Sequence, residues 1–174
     1  MIKRPQPGLF LRFSLILILI LACNSPARGQ GHTCLTPLLI NLDGWQAAAA
    51  EGMTMNTGSV NMITASRKYR HGKQELDAMI MVGNQPLAMG PEEPTKVDTA
   101  HSHLEIKKIK GFQVHTTLDK RENAGGIMVV LSKKADRNAM FVLTFKGMSD
   151  QDALAIAEQF DWQAMREKAQ KLPQ

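Results

Sequence analysis

The sequence has few of the features by which a disulfide-bonded protein or an enzyme is recognised. Two of its 174 residues are cysteines, Cys23 and Cys34, and they do not stand at C-x-x-C spacing. The sequence also has no G-x-S-x-G element, no P-loop and no Rossmann glycine pattern. Because Cys23 is either lipidated or removed with a leader, the fold cannot depend on a disulfide. We therefore predict a non-catalytic protein. An enzyme whose catalytic residues meet only in the fold is the third alternative.

No apolar run is long enough for a transmembrane helix, which needs about 20 residues. The run at residues 13–22 has about half that length, and Lys3, Arg4 and Arg12 precede it. A basic start followed by a short apolar run is typical of a secretory signal peptide. The sequence therefore predicts export, with residues 1–22 as the leader.

Two cleavage sites fit this leader. Ile20-Leu21-Ala22-Cys23 is similar to a bacterial lipobox, in which the cysteine is lipidated and becomes the first mature residue. Alternatively, Ser25-Pro26-Ala27 supplies the small residues for ordinary cleavage, and the leader then spans residues 1–27. Asn24 after the cysteine favours the outer membrane, by resemblance to enterobacterial sorting rules. We predict a periplasmic protein that is anchored to the outer membrane through a lipid on Cys23.

A strong excess of charge is also absent once the leader is set aside. The whole chain has 21 Lys and Arg against 16 Asp and Glu, a formal charge of +5. Three of the basic residues lie in residues 1–22, so 18 basic and 16 acidic residues remain. A near-neutral mature chain in an exported compartment argues against nucleic acid as a partner. The predicted partners are the membrane, through the anchor, and an unknown envelope protein or lipid.

A polar linker separates the leader from one folded domain. Residues 23–37 are rich in Gly, Ser, Pro and Thr and lack apolar periodicity, which is typical of a flexible tether. Cys34 lies inside this predicted tether. Residues 38–174 form the predicted domain, and their number allows a single hydrophobic core.

Alternation of apolar and polar residues predicts an antiparallel sheet in this domain. Leu76, Ala78 and Ile80, for example, share one face of an extended run. Short connections with turn residues favour antiparallel neighbours. We predict five to six strands, with residues 84–103 as a long loop and residues 47–51 as a helical turn. The candidate strands are residues 60–70, 75–83, 104–109, 113–120, 127–132 and 139–146.

The C-terminal residues have helical signals. Ser149 and Asp152 form a capping box with Asp in place of the usual Glu, and apolar residues then recur at helical spacing. Asp161 predicts the cap of a second short helix that ends before Pro173. Strands that precede helices indicate an α+β fold. The predicted architecture is a two-layer sandwich, with the C-terminal helix packed on one face of the sheet.

Methionine and histidine supply the candidate metal ligands. Met79 and Met81 stand at i, i+2 in a predicted strand, so they share a face, and so do His101 and His103 in an extended segment. Thioethers prefer Cu(I), and imidazole binds copper as well. A periplasmic copper-binding protein is therefore the alternative function. A third ligand beside the two histidines could come from His71, His115 or Glu105, but nothing with recognisable spacing completes a set of four.

Three short motifs resemble a group of small, uncharacterised exported bacterial proteins. They are Leu42-Asp43-Gly44-Trp45, Ser66-Arg67-Lys68-Tyr69 and Lys110-Gly111-Phe112. A more distant likeness to the PsbP-like sandwich concerns the fold alone. The resemblance implies export and an α+β fold, and it implies no functional residue. The leading prediction is a non-catalytic, lipid-anchored binding domain of the cell envelope that binds its ligand through the sheet or the 84–103 loop.

Overall fold

The computed structural model describes residues 31–84, 93–134 and 137–172. Within these ranges the protein consists of nine strands and two helices, preceded by two short 3-10 turns at Gly31–Cys34 and Thr36–Leu38. The strands are β1 (Gln46–Ala47), β2 (Glu51–Thr57), β3 (Val60–His71), β4 (Gln74–Gly83), β5 (Thr95–Asp98), β6 (Ser102–Ile109), β7 (Phe112–Asp119), β8 (Ala124–Lys134) and β9 (Arg137–Lys146). The helices are α1 (Asp150–Ala157) and α2 (Trp162–Lys171).

All described strands belong to one antiparallel sheet with the order β1-β3-β4-β9-β8-β7-β6-β5. Strand β2 also pairs with β3, next to β1 along the same edge. The predicted antiparallel sheet and C-terminal helices are confirmed, but the predicted number of five to six strands is too low. The protein is mainly β, with a C-terminal pair of helices.

The additional strands are held by backbone pairing more than by buried side chains. Strand β2 pairs with β3 from Glu51 to Thr57, yet nearly all of its side chains are exposed. The helical turn considered for residues 47–51 is wrong, because Ala47 belongs to β1, Glu51 belongs to β2 and residues 48–50 between them are not helical. Strand β5 lies inside the predicted 84–103 loop and has only four residues. Residues 85–92 of that predicted loop lie outside the described part of the chain.

The predicted helix caps are confirmed. The Ser149 hydroxyl accepts a hydrogen bond from the Asp152 amide at 3.1 Å, and the Asp161 carboxylate accepts one from the Ala164 amide at 2.9 Å. These side chains satisfy amides that have no partner within the first turn of a helix. No helix among the described residues is both long and apolar enough to cross a membrane.

The N-terminal segment before β1 packs against the sheet. Leu35 and Leu39 are fully buried in the hydrophobic core. We expected a flexible tether as far as residue 37, so the burial of Leu35 differs from that expectation. The side chain of Cys34, the residue before Leu35, is exposed. Residues 1–30, which include the predicted leader and Cys23, lie outside the described part of the chain.

The Ser-Arg-x-Tyr motif fixes this segment to β3. The Arg67 guanidinium donates hydrogen bonds to the backbone carbonyls of Ala48 and Leu39, each at 2.8 Å, and to the Asn41 side chain at 2.7 Å. The Tyr69 hydroxyl donates to the Ile40 carbonyl at 2.8 Å. Burial raises the pKa of Tyr69 to about 12, so the phenol keeps its proton. The motif therefore has a structural role.

Candidate functional site: a methionine-rich sheet face

The strand register assigns each side chain to one of the two faces of the sheet. Ile80 lies opposite Phe141, and Phe141 lies opposite Val129. All three are fully buried in the core that includes residues of both helices, and Phe141 contacts Phe160 at a ring-centroid distance of 4.9 Å. We call this side the helix face. Because successive side chains alternate, the residues next to these three point to the opposite side of the sheet.

Of the nine methionines in the described part of the chain, seven lie on that opposite side, which we call the methionine face. The pairings of β2 with β3, of β3 with β4, of β4 with β9 and of β8 with β9 place them there. Six are half-buried, and Met53 is 52% exposed. A face with this degree of exposure is neither a closed core nor a fully solvated surface. The seven are Met53, Met55, Met62, Met79, Met81, Met128 and Met140.

Four of these methionines form the centre of the face. Met81 on β4 lies directly opposite Met140 on β9. Met79 is two residues from Met81, and Met128 on β8 is diagonal to Met140. Directly opposed side chains in an antiparallel sheet have Cβ atoms about 5 Å apart, and diagonal neighbours are still within reach of long side chains. Val142 lies between Met79 and Met128, so the centre of the face is continuously apolar.

A buried histidine borders this centre on the β7 side. His115 lies opposite Met128, and Ile106 lies opposite His115 on the next strand. The His115 residue is 5% exposed, and its Nε2 atom has no hydrogen-bond partner among the described residues. Burial lowers the pKa of His115, and the nearby Lys133 ammonium lowers it further. The imidazole is therefore neutral at physiological pH.

The other end of the face is polar. Asp77 on β4 lies between Lys68 on β3 and Thr144 on β9. Burial raises the pKa of Asp77, and the charge of Lys68 opposes this rise in part. The Asp77 Oδ1 atom is buried without a hydrogen-bond partner among the described residues. A cavity of about 600 Å³ lies beside these groups, where the ends of β1, β3, β4 and β9 meet.

The structure separates the two pairs of metal ligands considered in the sequence. Met79 and Met81 lie on the methionine face, whereas His103 lies opposite Leu118 on the helix face. The His103 ring contacts the carboxylates of Asp98 at 3.6 Å and of Asp150 at 3.7 Å. His101 is exposed in the turn before β6. In the described ranges no group of three or more His, Cys, Asp or Glu side chains is arranged to hold a metal ion.

Sequence reasoning missed Met128 and Met140, and it named His115 only as a possible third ligand beside His101 and His103. The alternation within each strand was visible, but the register between strands was not. Without the register, the sequence could not show that the methionines of β4 lie beside those of β8 and β9. The available signal was the number of methionines at alternate strand positions.

Comparison with known proteins does not assign the chain to a family. No protein-family model matches the chain, and no curated protein matches it. The X-ray structure of an uncharacterised protein from Mycobacterium smegmatis, the Rv0999 ortholog, is similar over 79% of this chain and 97% of that chain. The two are 9% identical, and the TM-score is 0.38. Since a likeness at this level supports no functional argument, the site is interpreted from its own residues.

Proposed function

We propose that the protein is an exported, non-catalytic binding domain of the bacterial cell envelope. In this proposal a lipid on Cys23 anchors it to the outer membrane, and the methionine face binds an apolar surface of another envelope protein. The observation that carries the proposal is the presence of seven methionines on one half-exposed sheet face that the helices do not cover.

The residue type supports a binding role. Methionine has a flexible, polarisable side chain, and it is used at surfaces that must adapt to a partner. The apolar strand residues buried on the helix face are Ile, Val, Leu, Ala, Phe and one Tyr, and such side chains specify a single packing arrangement. A sheet face that is exposed only to water is expected to carry mainly charged and hydroxyl residues.

The surroundings of the face fit a protein partner. Lys68, Asp77 and Thr144 lie at one end of the face, and Gln113 and Lys133 lie at the other. An apolar centre with a polar rim is the usual anatomy of a protein–protein interface. We therefore favour a protein surface over the acyl chains of the bilayer.

The position of the anchor limits where the partner can be. Gly31, the first described residue, lies eight positions after Cys23. Even when fully extended, eight residues span at most about 28 Å. A lipidated chain would therefore keep the domain close to the membrane, and the partner is expected at or near that surface.

Site-specific photo-cross-linking in intact cells tests the binding role. A photoreactive amino acid at position 81 or 140 should give one discrete adduct with an envelope protein. The same group at Gln151, an exposed position on α1, is the matched control and should give none. Replacement of Met79 and Met128 by Gln should remove the adduct formed from position 81. Adducts that are equal at all three positions, or absent from both face positions, would contradict the proposal.

The anchor is tested separately. Globomycin and the substitution Cys23→Ala should each block processing of the leader. If processing and membrane fractionation are unchanged under both treatments, the chain is not lipidated, and cleavage after Ala27 becomes the supported alternative.

A further inference from the structure

We infer that the edge of the sheet along β2 is a dimerisation surface, and that its occupant is β2 of a second copy of this chain. The two strands pair antiparallel about a twofold axis that passes through Thr54, perpendicular to the sheet, and they join two sheets into one. The inference goes beyond the binding of an envelope protein to the methionine face, and it holds whether or not such a partner exists.

The two edges of the sheet differ in how they are protected against pairing with another chain. At one edge, β5 has only four residues, Lys96 and Asp98 among them are charged, and Pro94 precedes the strand. Short strands, charged side chains and proline are the features that keep natural sheet edges unpaired. At the other edge, β2 has seven residues without proline or lysine, and its pairing with β3 runs from Glu51 to Thr57 without a register shift. The β2 edge therefore lacks the protection that the β5 edge has.

The outer side of β2 carries backbone groups that pair with no described strand. A two-residue turn with Gly58 at a φ of +57° connects β2 to β3, and such a turn is closed by a hydrogen bond, so Thr57 is hydrogen-bonded to β3. Hydrogen-bonded and non-hydrogen-bonded pairs alternate in antiparallel strands. The amides and carbonyls of Gly52, Thr54 and Asn56 therefore point away from β3 and are available to a further strand.

The backbone of β2 is complementary to itself in one antiparallel register. When Thr54 lies opposite Thr54 of the second copy, Gly52 lies opposite Asn56, and every outward-pointing amide and carbonyl of both strands has a partner. A shift by one residue would oppose outward-pointing groups to inward-pointing ones, and a shift by two would leave part of each strand unpaired. The middle of the strand is therefore the favoured position of the twofold axis, as a closed dimer requires.

The side chains of β2 fit the same register. Met53 lies opposite Met55 of the second copy, so the methionine faces of the two copies become continuous across the axis. Met53 is 52% exposed in one copy, and this pairing would cover it. Glu51 is the only charged residue of β2, and it lies opposite Thr57, so no like charges meet. Because the β5 edge is protected, pairing stops at two copies.

Sedimentation of the full chain in detergent tests the dimer, with Cys23 and Cys34 replaced by Ser so that no intermolecular disulfide forms. The interface is small because only one strand of each copy contributes, and interfaces of less than about 1,000 Å² are weak. We therefore expect a Kd of about 10–100 μM. A chain that stays monomeric up to about 1 mM would overturn the inference.

An exchange of charge tests the register. A variant with Met53→Lys and Met55→Lys opposes lysine to lysine across the axis, and a variant with Met53→Glu and Met55→Glu opposes glutamate to glutamate. Each variant alone should dimerise at least about tenfold more weakly than the unsubstituted chain. An equimolar mixture should restore the dimer, because each lysine then lies opposite a glutamate. Restoration by mixing cannot arise from a loss of folding, and a mixture that stays monomeric would contradict the register.

Disulfide cross-linking tests the position of the axis. In the chain without its own cysteines, Thr54→Cys should form a disulfide-linked dimer under mild oxidation. Directly opposed Cα atoms in a hydrogen-bonded pair are about 5.5 Å apart, which is within the range of a disulfide. Val97→Cys on the β5 edge is the matched control, since Val97 is 46% exposed, and it should form almost none. Equal cross-linking at the two positions would show that the contact is random collision and would overturn the inference.

Discussion

Neighbouring residues of β4 lie in opposite environments. Ile80 is fully buried on the helix face, whereas Met79 and Met81 on either side of it are half-buried on the methionine face. The helix face is closed by α1, α2 and the N-terminal segment, which add Leu35, Phe160 and other residues to one core. On the methionine face the methionines are half-buried or exposed, although Ile106, His115 and Val130 on the same face are buried. The difference indicates that the helix face provides most of the stability of the fold, and it supports the proposal that the methionine face binds a partner.

The residue types of the two faces agree with this division. Branched and aromatic residues on the helix face have few rotamers and pack in one arrangement. Methionine on the other face keeps its rotamer freedom and tolerates a change of neighbours. Stability should therefore depend strongly on the first set of side chains and weakly on the second.

The largest expected effect comes from a pair of adjacent substitutions. Ile80→Ala should lower the free energy of unfolding by about 2–5 kcal/mol, because it leaves a cavity in the closed core. Met81→Ala, the matched control on the next residue, should cost about 1 kcal/mol or less, because part of its side chain already contacts water. Urea denaturation of both variants measures the difference. Equal losses would show that the two faces contribute equally to the fold.

A second substitution tests how the helix face is closed. Arg67→Lys should lower the free energy of unfolding by about 1.5–3 kcal/mol, since one ammonium group cannot reproduce the three hydrogen bonds to Leu39, Asn41 and Ala48. Arg70→Lys is the control, because the Arg70–Glu75 ion pair is exposed. It should have almost no effect. If the two variants are equally stable, the N-terminal segment is not held through Arg67.

The pH dependence of stability tests the burial of His115 on the methionine face. The unfolded chain binds a proton at the ordinary histidine pKa of 6.5, and the folded chain binds it only at a lower pH. Stability should therefore fall as the pH drops below 6.5 and through the lower pKa of the folded state. His115→Leu should remove the part of the stability loss at acidic pH that His115 causes. His101→Leu, at an exposed position, should leave that loss unchanged. Thermal unfolding between pH 5 and 8 measures both variants.

The smallest expected effect concerns the polar end of the methionine face. The pKa of Asp77 is raised by burial, so the folded chain takes up a proton more readily than the unfolded chain. Stability from this group is present at low pH and is lost as the pH rises through 3.8 and the higher folded pKa. Asp77→Asn should therefore stabilise the protein at pH 7, by less than about 1 kcal/mol. The gain in stability should vanish at acidic pH. A gain of equal size at pH 7 and at acidic pH would contradict this explanation.

Much of the fold could be predicted from local patterns. The six strands and both capped helices are local features, because period-two alternation, turns and side-chain caps depend on nearby residues. Strands β2 and β5 were missed because backbone pairing with a longer neighbour holds them, and their side chains carry little apolar pattern. Leu35 was missed because a single apolar residue in a Gly- and Thr-rich segment gives no periodicity.

The site could be predicted only in part, because it depends on contacts between distant strands. Met79 and Met81 were identified from their own strand. Only the register of β4 with β9 and of β7 with β8 shows that Met140 and His115 lie on the same face as these two methionines. The same register separates His103 from these methionines by placing it on the other face. Spacing along the chain contains neither kind of information.

Methionine oxidation footprinting tests the central claim most directly, since it compares the two faces without a substitution. In the purified protein, peroxide should convert the four central methionines, Met79, Met81, Met128 and Met140, to the sulfoxide faster than the buried Met148 and Met165. In intact cells the central four should be protected several-fold, because a partner covers the face, while Met148 and Met165 should keep the same slow rate. Unchanged oxidation rates of the central methionines in intact cells would contradict the claim that the methionine face is a binding surface.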